Sequence, residues 1–141
     1  MHHDEIIGKV QALAQLPDRG SAEQATRAVL ETLAERLPSG LAKHVAAQLP
    51  PTLAAAMGSV TEPSAEGDAS PSGERFDLVA FTGRIAARAA TDEEGALREA
   101  AAVLEVLDAA LTPELTQKIT AALPRDIGQL LPSGRARDAT N

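Results

Sequence analysis

The stretch AEQATRAVLETLAERLPSGLAKHVAAQLP, residues 22–50, decides the fold of this chain. Its apolar residues recur every three or four positions, which is the spacing of one buried face of an α-helix. Proline lacks a backbone N–H and disfavours helical geometry in the residue before it, so the Leu49-Pro50 step must end a helix. The stretch therefore predicts a long helix, a tight turn at residues 38–40, and a shorter helix that stops at the proline.

A second stretch repeats this pattern 74 residues later. Residues 96–124 read ALREAAAVLEVLDAALTPELTQKITAALP and end on the corresponding step, Leu123-Pro124. Upstream of the long helices the best offset becomes 75, and it pairs Gly8 with Gly83. The sequence therefore predicts an all-α protein, a tandem repeat of two similar four-segment helical units that pack into one compact helical bundle.

Composition divides the chain into four parts. Residues 1–57 form helical unit one and residues 76–131 form helical unit two. Residues 58–75 consist largely of proline, serine, glycine and acidic side chains, which cannot bury enough apolar surface to order themselves. They are predicted to form a flexible acidic linker, and residues 132–141 a disordered tail.

The starts of the helices carry recognisable signals. The long helices are predicted to begin at capping boxes, formed by Ser21 with Gln24 and by Thr91 with Glu94. In unit two, Thr112-Pro113 predicts the start of the third helix, because proline is favoured at the first helical position.

Six residues are predicted to have structural roles. Glycine inside a helix costs about 1 kcal/mol relative to alanine, so its presence at matching positions suggests close contact between helices. Our hypothesis is that the two glycines face each other, or face equivalent neighbours, across a pseudo-twofold axis. The six residues are Gly8, Leu49, Pro50, Gly83, Leu123 and Pro124.

Composition also limits the function. The chain of 141 residues has two phenylalanines, no tryptophan, no tyrosine and no cysteine. A core of leucine, valine, isoleucine and alanine allows close helix packing, so we expect no roomy pocket. The missing cysteines exclude a disulfide framework and a thiol nucleophile and suit a cytoplasmic protein. Abundant arginine relative to lysine suggests a bacterial source.

The formal net charge of −7 disfavours two classes of partner. An acidic protein repels the phosphates of nucleic acids and the surface of anionic membranes. No apolar run is long enough to span a bilayer. We therefore expect no membrane association, and nucleic acid is an unlikely partner.

No group of residues makes a convincing catalytic, cofactor or metal site. His2 and His3 are adjacent residues near a chain end and do not converge on a metal, and His44 is predicted to be exposed on a helix. The run 92–94 is acidic, but it falls in a first helical turn, where negative charge favours the helix dipole. Glu31 and Glu105, the charged pair that both copies share, are either solvated or a contact between the units.

The chain resembles a bacterial family known as domain of unknown function 2267. The resemblance is carried by AEQATRAVLETLAERL, by VAAQLP, by FDLVAFTGRIAARAA and by KITAALPRDI, and it covers about residues 4–131. It implies a helical, repeated fold and brings no reaction, cofactor or catalytic residue with it.

These observations favour a non-enzymatic helical protein that acts as a protein–protein interaction or scaffold module. Another protein, or a second copy of the chain, is the expected partner, bound in a groove between helices. The alternative is a DNA-associated regulator with helix-turn-helix-like units, and the second alternative is a small-ligand binder or enzyme.

Overall fold

The structure of the chain is a computed structural model, and it describes residues 2–61 and 77–132. Within these two ranges the chain is α-helical and contains no strand, so the predicted all-α class is confirmed. The described helices, in chain order, are α1 His3–Ala14, α2 Arg19–Arg36, α3 Ser39–Ala47, α4 Pro51–Thr61, α5 Leu78–Ala89, α6 Glu93–Ala110, α7 Pro113–Ala122 and α8 Arg125–Gly128.

The eight helices form two sets of four that follow the same order. The first helices, α1 and α5, have 12 residues each, and the long helices, α2 and α6, have 18 each. The last helices differ, because α4 has 11 residues and α8 has four. Matching lengths are compatible with a tandem repeat, which stays a prediction.

The two sets cross over each other in the bundle. Helix α1 packs on α2 and also on α6, while α5 packs on α6 and also on α2. The long helices contact each other, and α3 meets α7. Each first helix therefore covers both long helices, and a single hydrophobic core runs through both sets.

Leucine, isoleucine, valine and alanine fill most of this core, as the composition predicts. Phe81 is among its largest fully buried side chains. Two fully buried polar residues of α2, Thr26 and Thr32, donate hydroxyl hydrogen bonds to the carbonyl oxygens of Ala22 and Ala28, 2.7 and 2.8 Å away. These two hydroxyl groups are therefore satisfied although they lie in a largely apolar core.

The predicted capping boxes of the long helices are wrong. Helix α2 is capped by Asp18, whose Oδ1 accepts a hydrogen bond of 2.7 Å from the amide of Ser21, and α6 is capped by Asp92, whose Oδ1 accepts one of 2.7 Å from Gly95. A carboxylate caps as well as a hydroxyl and also complements the helix dipole. The backbone hydrogen bond from Ser21 lowers the pKa of Asp18.

Other boundaries follow the local sequence. Thr112 caps α7, with Pro113 at the first helical position, as predicted. Helix α3 ends at Ala47, before Leu49-Pro50, and α7 ends at Ala122, before Leu123-Pro124. Both leucines are buried and both prolines are half-buried.

The hypothesis of close contact at Gly8 and Gly83 is wrong. Gly8 is half-buried and Gly83 is exposed, and a methyl group added at either position would meet no atom within 4 Å. The buried faces of these helices are formed by neighbouring positions, including Ile7 on α1 and Ile85 on α5, so the glycines point away from the core.

Helices α1 and α5 end in the same unusual backbone conformation. Gln15 has φ 56° and Ala90 has φ 55°, both in the left-handed region that glycine favours. These residues correspond at the offset of 75, whereas the caps Asp18 and Asp92 correspond at 74. The change of offset therefore lies between the left-handed residue and the aspartate.

The predicted linker starts too early at its N-terminal end. Helix α4 continues through Gly58 to Thr61, four residues into the segment predicted as linker. Residues 62–76 and 133–141, which hold the rest of the linker and most of the predicted tail, lie outside the described residues. Among the described helices, none is long and apolar enough to cross a membrane.

Candidate functional site

A set of charged contacts joins the two helix sets where α5 packs on α2. Arg84 and Arg88 are one turn apart on α5, and Thr32 and Glu35 lie close together on α2. We refer to these four residues as the α2/α5 polar cluster. Their contacts connect residues about 50 positions apart in the chain, so packing of the whole bundle brings them together.

Arg88 is the centre of the cluster. Its Nη1 and Nη2 donate to Oε1 and Oε2 of Glu35, each at 2.8 Å, in the two-pronged geometry that suits guanidinium and carboxylate. Nη1 also donates to Thr32 Oγ1 at 2.8 Å. Because the Thr32 hydroxyl donates its hydrogen bond to the carbonyl oxygen of Ala28, its oxygen is oriented to accept a hydrogen bond from Arg88.

Two weaker contacts surround this pair. Arg84 Nη1 donates to Glu35 Oε1 at 3.3 Å, and Arg88 Nε lies 3.9 Å from Glu31 Oε1. The side chain of Glu35 is 19% exposed and that of Arg88 is 31% exposed. The ion pair is therefore partly shielded from water, which makes it stronger than a pair on the open surface.

The cluster shifts the pKa of both main partners. Burial is the largest single influence on Glu35 and would raise its pKa, but the hydrogen bonds and charges of Arg88 and Arg84 together outweigh burial and lower the pKa. The hydrogen bond to Glu35 raises the pKa of Arg88 further above its already high value. Glu35 is therefore a firmly ionised carboxylate and a poor general base.

A cleft of about 300 Å³ opens beside the cluster. Every residue that lines it comes from α2 except Arg88, which closes one side. The cleft is a half-open depression of the surface and not an enclosed cavity, so it does not contradict the expectation of no roomy pocket. The lining residues are Gly20, Glu23, Gln24, Arg27, Ala28, Glu31 and Arg88.

The cleft wall carries side chains of both charges. Glu23 and Arg27 have the spacing of an intrahelical ion pair, yet Glu23 Oε1 lies 3.0 Å from Nε2 of His3, a buried nitrogen whose orientation makes no hydrogen bond. Arg27 is exposed and pairs with none of the described residues. The cleft therefore presents, next to carboxylates, a guanidinium that pairs with no residue of ranges 2–61 and 77–132.

A family model matches residues 3–130, and its members are described as uncharacterised conserved proteins, DUF2267. The chain belongs to the DUF2267 family. This confirms the resemblance carried by the helix and Leu-Pro motifs. No curated protein matches the chain.

In the structure of this DUF2267 chain, the residues that the sequence analysis discussed lie in different surroundings. Glu31 lines the cleft and lies near Arg88, whereas its counterpart Glu105 is exposed on α6. His44 is exposed, as predicted, and so is Lys118 at the corresponding position. Within residues 2–61 and 77–132, no three histidine or acidic side chains are grouped to hold a metal ion.

The central residues of the α2/α5 polar cluster, Thr32, Glu35 and Arg88, are not among those singled out from the sequence. One signal was available: the arginines at positions 84 and 88 are spaced to share one face of α5, whereas the corresponding positions in α1 are Lys9 and Leu13.

Proposed function

We propose that this chain is a non-enzymatic helical interaction module that binds another protein chain through the face carrying the α2/α5 cleft. The observation that supports this most directly is the wall of α2, where acidic and basic side chains stand in one row above a rigid core. A protein surface with charges in the complementary order fits such a row.

The charges of the cleft suit recognition. Glu23 and Glu31 oppose Arg27 and Arg88, so the wall has little net charge and a definite pattern. Complementary charge patterns determine which partner binds and in which register, more than they determine affinity. The α2/α5 polar cluster holds Arg88 in place, which reduces the entropy lost on binding.

The same cleft argues against an enzyme. Its lining consists of glycine, alanine, glutamine, glutamate and arginine, without the serine, cysteine or histidine that nucleophilic catalysis uses. The neighbouring Glu35 is held by Arg88 and has a lowered pKa, whereas a general base works best with a pKa near the operating pH.

The pattern of charge also disfavours a DNA-associated regulator. Proteins that bind duplexes carry basic side chains along the element that enters the groove. Here the cleft alternates in sign, and the exposed basic residues of α3 and α7 are few: Lys43 and Lys118, with His44. Titration of a labelled duplex at low salt tests this rival; saturable, salt-sensitive binding would favour it over our proposal.

Affinity capture from the native host with matched variants tests the interaction module. Arg27→Glu reverses a charge in the cleft wall, and Arg98→Glu makes the same change at an exposed position of α6. We expect Arg27→Glu to lose the proteins captured by the wild-type chain and Arg98→Glu to retain them.

Two outcomes would contradict the proposal. Either both variants capture the same proteins as the wild type, or no protein is captured reproducibly and the chain is strictly monomeric. We place the module in the bacterial cytoplasm, where its cysteine-free composition is suitable, and fractionation of native cells tests that location.

A further inference from the structure

One line along α2 carries charged residues at intervals of one helical turn. Arg19, Glu23, Arg27 and Glu31 are four positions apart, so their side chains lie one above another on the helix surface. Their signs alternate. Gly20, which is exposed beside this line in the cleft, has no side chain to keep another backbone away.

A line of alternating charges is complementary to itself when it is turned end for end. Suppose a second α2 runs antiparallel about a twofold axis at the level of Ala25. Glu23 of each copy then faces Arg27 of the other, and Glu31 faces Arg19. Such a contact uses the same patch on both copies and closes after two chains, which is the commonest form of oligomer.

The charges on this line can exchange their present contacts for those of a second copy. Glu23 Oε1 lies 3.0 Å from His3 Nε2 without a hydrogen bond, and the side chain of Glu23 is 46% exposed. Arg27 pairs with none of the described residues. Arg19 contacts Asp4 at 2.6 Å, but these side chains are 56% and 84% exposed, so the pair exchanges at little cost. Glu31 is only loosely associated with Arg88, at 3.9 Å.

We propose that a second copy of this chain is the partner, docked antiparallel on α2 with Glu23 of each copy against Arg27 of the other. This inference rests on the proposed function and names its partner. The two clefts then face each other across the axis, and the self-complementary order of charge sets the register of the dimer.

Charge-swapped variants test the register by sedimentation velocity over a range of concentrations. Arg27→Glu and Glu23→Arg each place like charges opposite one another at both symmetric contacts. We expect each to weaken dimerisation about tenfold or more, since two favourable pairs become repulsive. The double variant Glu23→Arg/Arg27→Glu restores opposite charges, and so does an equimolar mixture of the two single variants.

Arg98→Glu is the matched control, because Glu94 and Arg98 form the same four-residue spacing on α6. It is expected to dimerise like the wild type. Circular dichroism of each variant confirms that the fold is kept, as expected for changes on the solvent side of α2.

The outcomes separate this inference from the proposed function. A wild-type chain that stays monomeric, or a mixture of single variants that does not restore the dimer, overturns docking of a second copy. If Arg27→Glu nevertheless abolishes capture of a different protein, the interaction module stands with another partner. If the variants change neither self-association nor capture, both proposals fail.

Discussion

Helices α5 and α1 make comparable contacts, α5 with α2 and α1 with α6, but with different chemistry. The first contact is held by Thr32, Glu35 and Arg88. In the sequence alignment, the corresponding residues of the second contact are Val106, Ala109 and Leu13. Val106 is buried, and Leu13 is 47% exposed. The corresponding positions therefore differ in chemistry, polar where α5 packs on α2 and apolar on α1 and α6.

The comparison extends to the cleft. The position of Glu23 in α2 corresponds to Leu97 in α6, which is 40% exposed. The surface beside the polar cluster thus carries a patterned charge, whereas the corresponding positions of the other helix set include the exposed leucines Leu13 and Leu97. A polar contact adds little net stability compared with an apolar one, but its geometry is more specific. We infer that the polar contact persists because it fixes the position of Arg88 and the shape of the cleft.

Removing one partner of the polar contact, while leaving the others in place, should have the largest effect on stability. Arg88→Leu introduces the residue found at the corresponding position of α1. We expect the free energy of unfolding to fall by about 1–2 kcal/mol, because Glu35 and Thr32 lose their main donor while remaining largely shielded from water. Urea denaturation followed by circular dichroism measures this change.

Replacing all three polar residues of the contact by apolar ones should restore most of the lost stability. The triple variant Thr32→Val/Glu35→Ala/Arg88→Leu gives the α2/α5 contact the residues of the other side. Its stability should lie within about 1 kcal/mol of the wild type, since the shielded carboxylate is removed together with its main donor. Arg84 loses Glu35 as well, but its side chain is 36% exposed and water can replace that contact. If the triple variant is less stable than Arg88→Leu, the two contacts are not interchangeable.

The long helices differ at another pair of positions, Glu99 of α6 and the fully buried Ala25 of α2. Glu99 is 6% exposed, and its burial is the main cause of its raised pKa; the charge of Arg98 opposes this rise and that of Asp92 adds to it. The folded state therefore binds the proton more tightly than the unfolded state. Stability is lost as pH rises from the ordinary carboxyl pKa through the raised value.

Glu99→Ala should remove that loss and stabilise the protein by about 1 kcal/mol at neutral pH. Glu35 has the opposite effect on the pH dependence of stability. Because its pKa is lowered, its contribution to stability is present above the ordinary carboxyl pKa and is lost as pH falls. Unfolding free energies measured from about pH 4 to pH 8 distinguish the two carboxylates. The exposed Glu105→Ala is the control, and an unchanged pH profile in Glu99→Ala would contradict the assignment.

The two left-handed helix ends should respond alike. Gln15→Gly and Ala90→Gly relieve the steric cost of φ near 55°, which exceeds the added entropy of glycine in the unfolded chain. We expect each to stabilise the protein by about 0.5–1 kcal/mol. Thermal unfolding measures the gain, and Ala90→Val is expected to destabilise because a β-branched residue fits this region poorly.

The glycines of α1 and α5, Gly8 and Gly83, should give gains of similar size when replaced by alanine. Gly8→Ala and Gly83→Ala add a methyl group in open space and improve helix propensity, so each should stabilise by roughly 0.5–1 kcal/mol. Gly95→Ala in α6 is the contrasting variant, because its methyl group would overlap the Thr91 hydroxyl and lie 3.1 Å from Asp92 Oδ1. Calorimetry measures the melting temperatures. A lower melting temperature for Gly8→Ala would contradict the prediction, because it would indicate a steric contact at that position.

Local signals in the sequence were sufficient for the helices. The Thr112-Pro113 start could be predicted because cap and proline act within one turn. The caps of α2 and α6 were placed three residues late in one case and one residue early in the other, because several capable side chains adjoin each start. Both Asp18 and Ser21 have side chains that can cap a helix, and the surrounding structure determines that Asp18 caps α2.

The site could not be predicted in the same way. The contact of Arg88 with Glu35 depends on α5 packing against α2, and no local pattern states which helix lies opposite. The glycine hypothesis failed for a related reason. A matching pair of residues shows that two positions correspond, but not whether they face a neighbour or solvent.

The crossed packing of the two sets has a consequence for synthesis of the protein on the ribosome. Helix α1 emerges early and can rest on α2, but its other neighbour, α6, is translated about 90 residues later. At roughly 5–20 residues per second, the side of α1 that faces α6 has no packing partner for several seconds. During that interval the core side chains of α1, such as Ile7 and Val10, are open to chaperones. Completion of the core therefore depends on the last third of the chain, and a ribosome that stalls before α6 leaves the nascent N-terminal helices exposed to proteolysis.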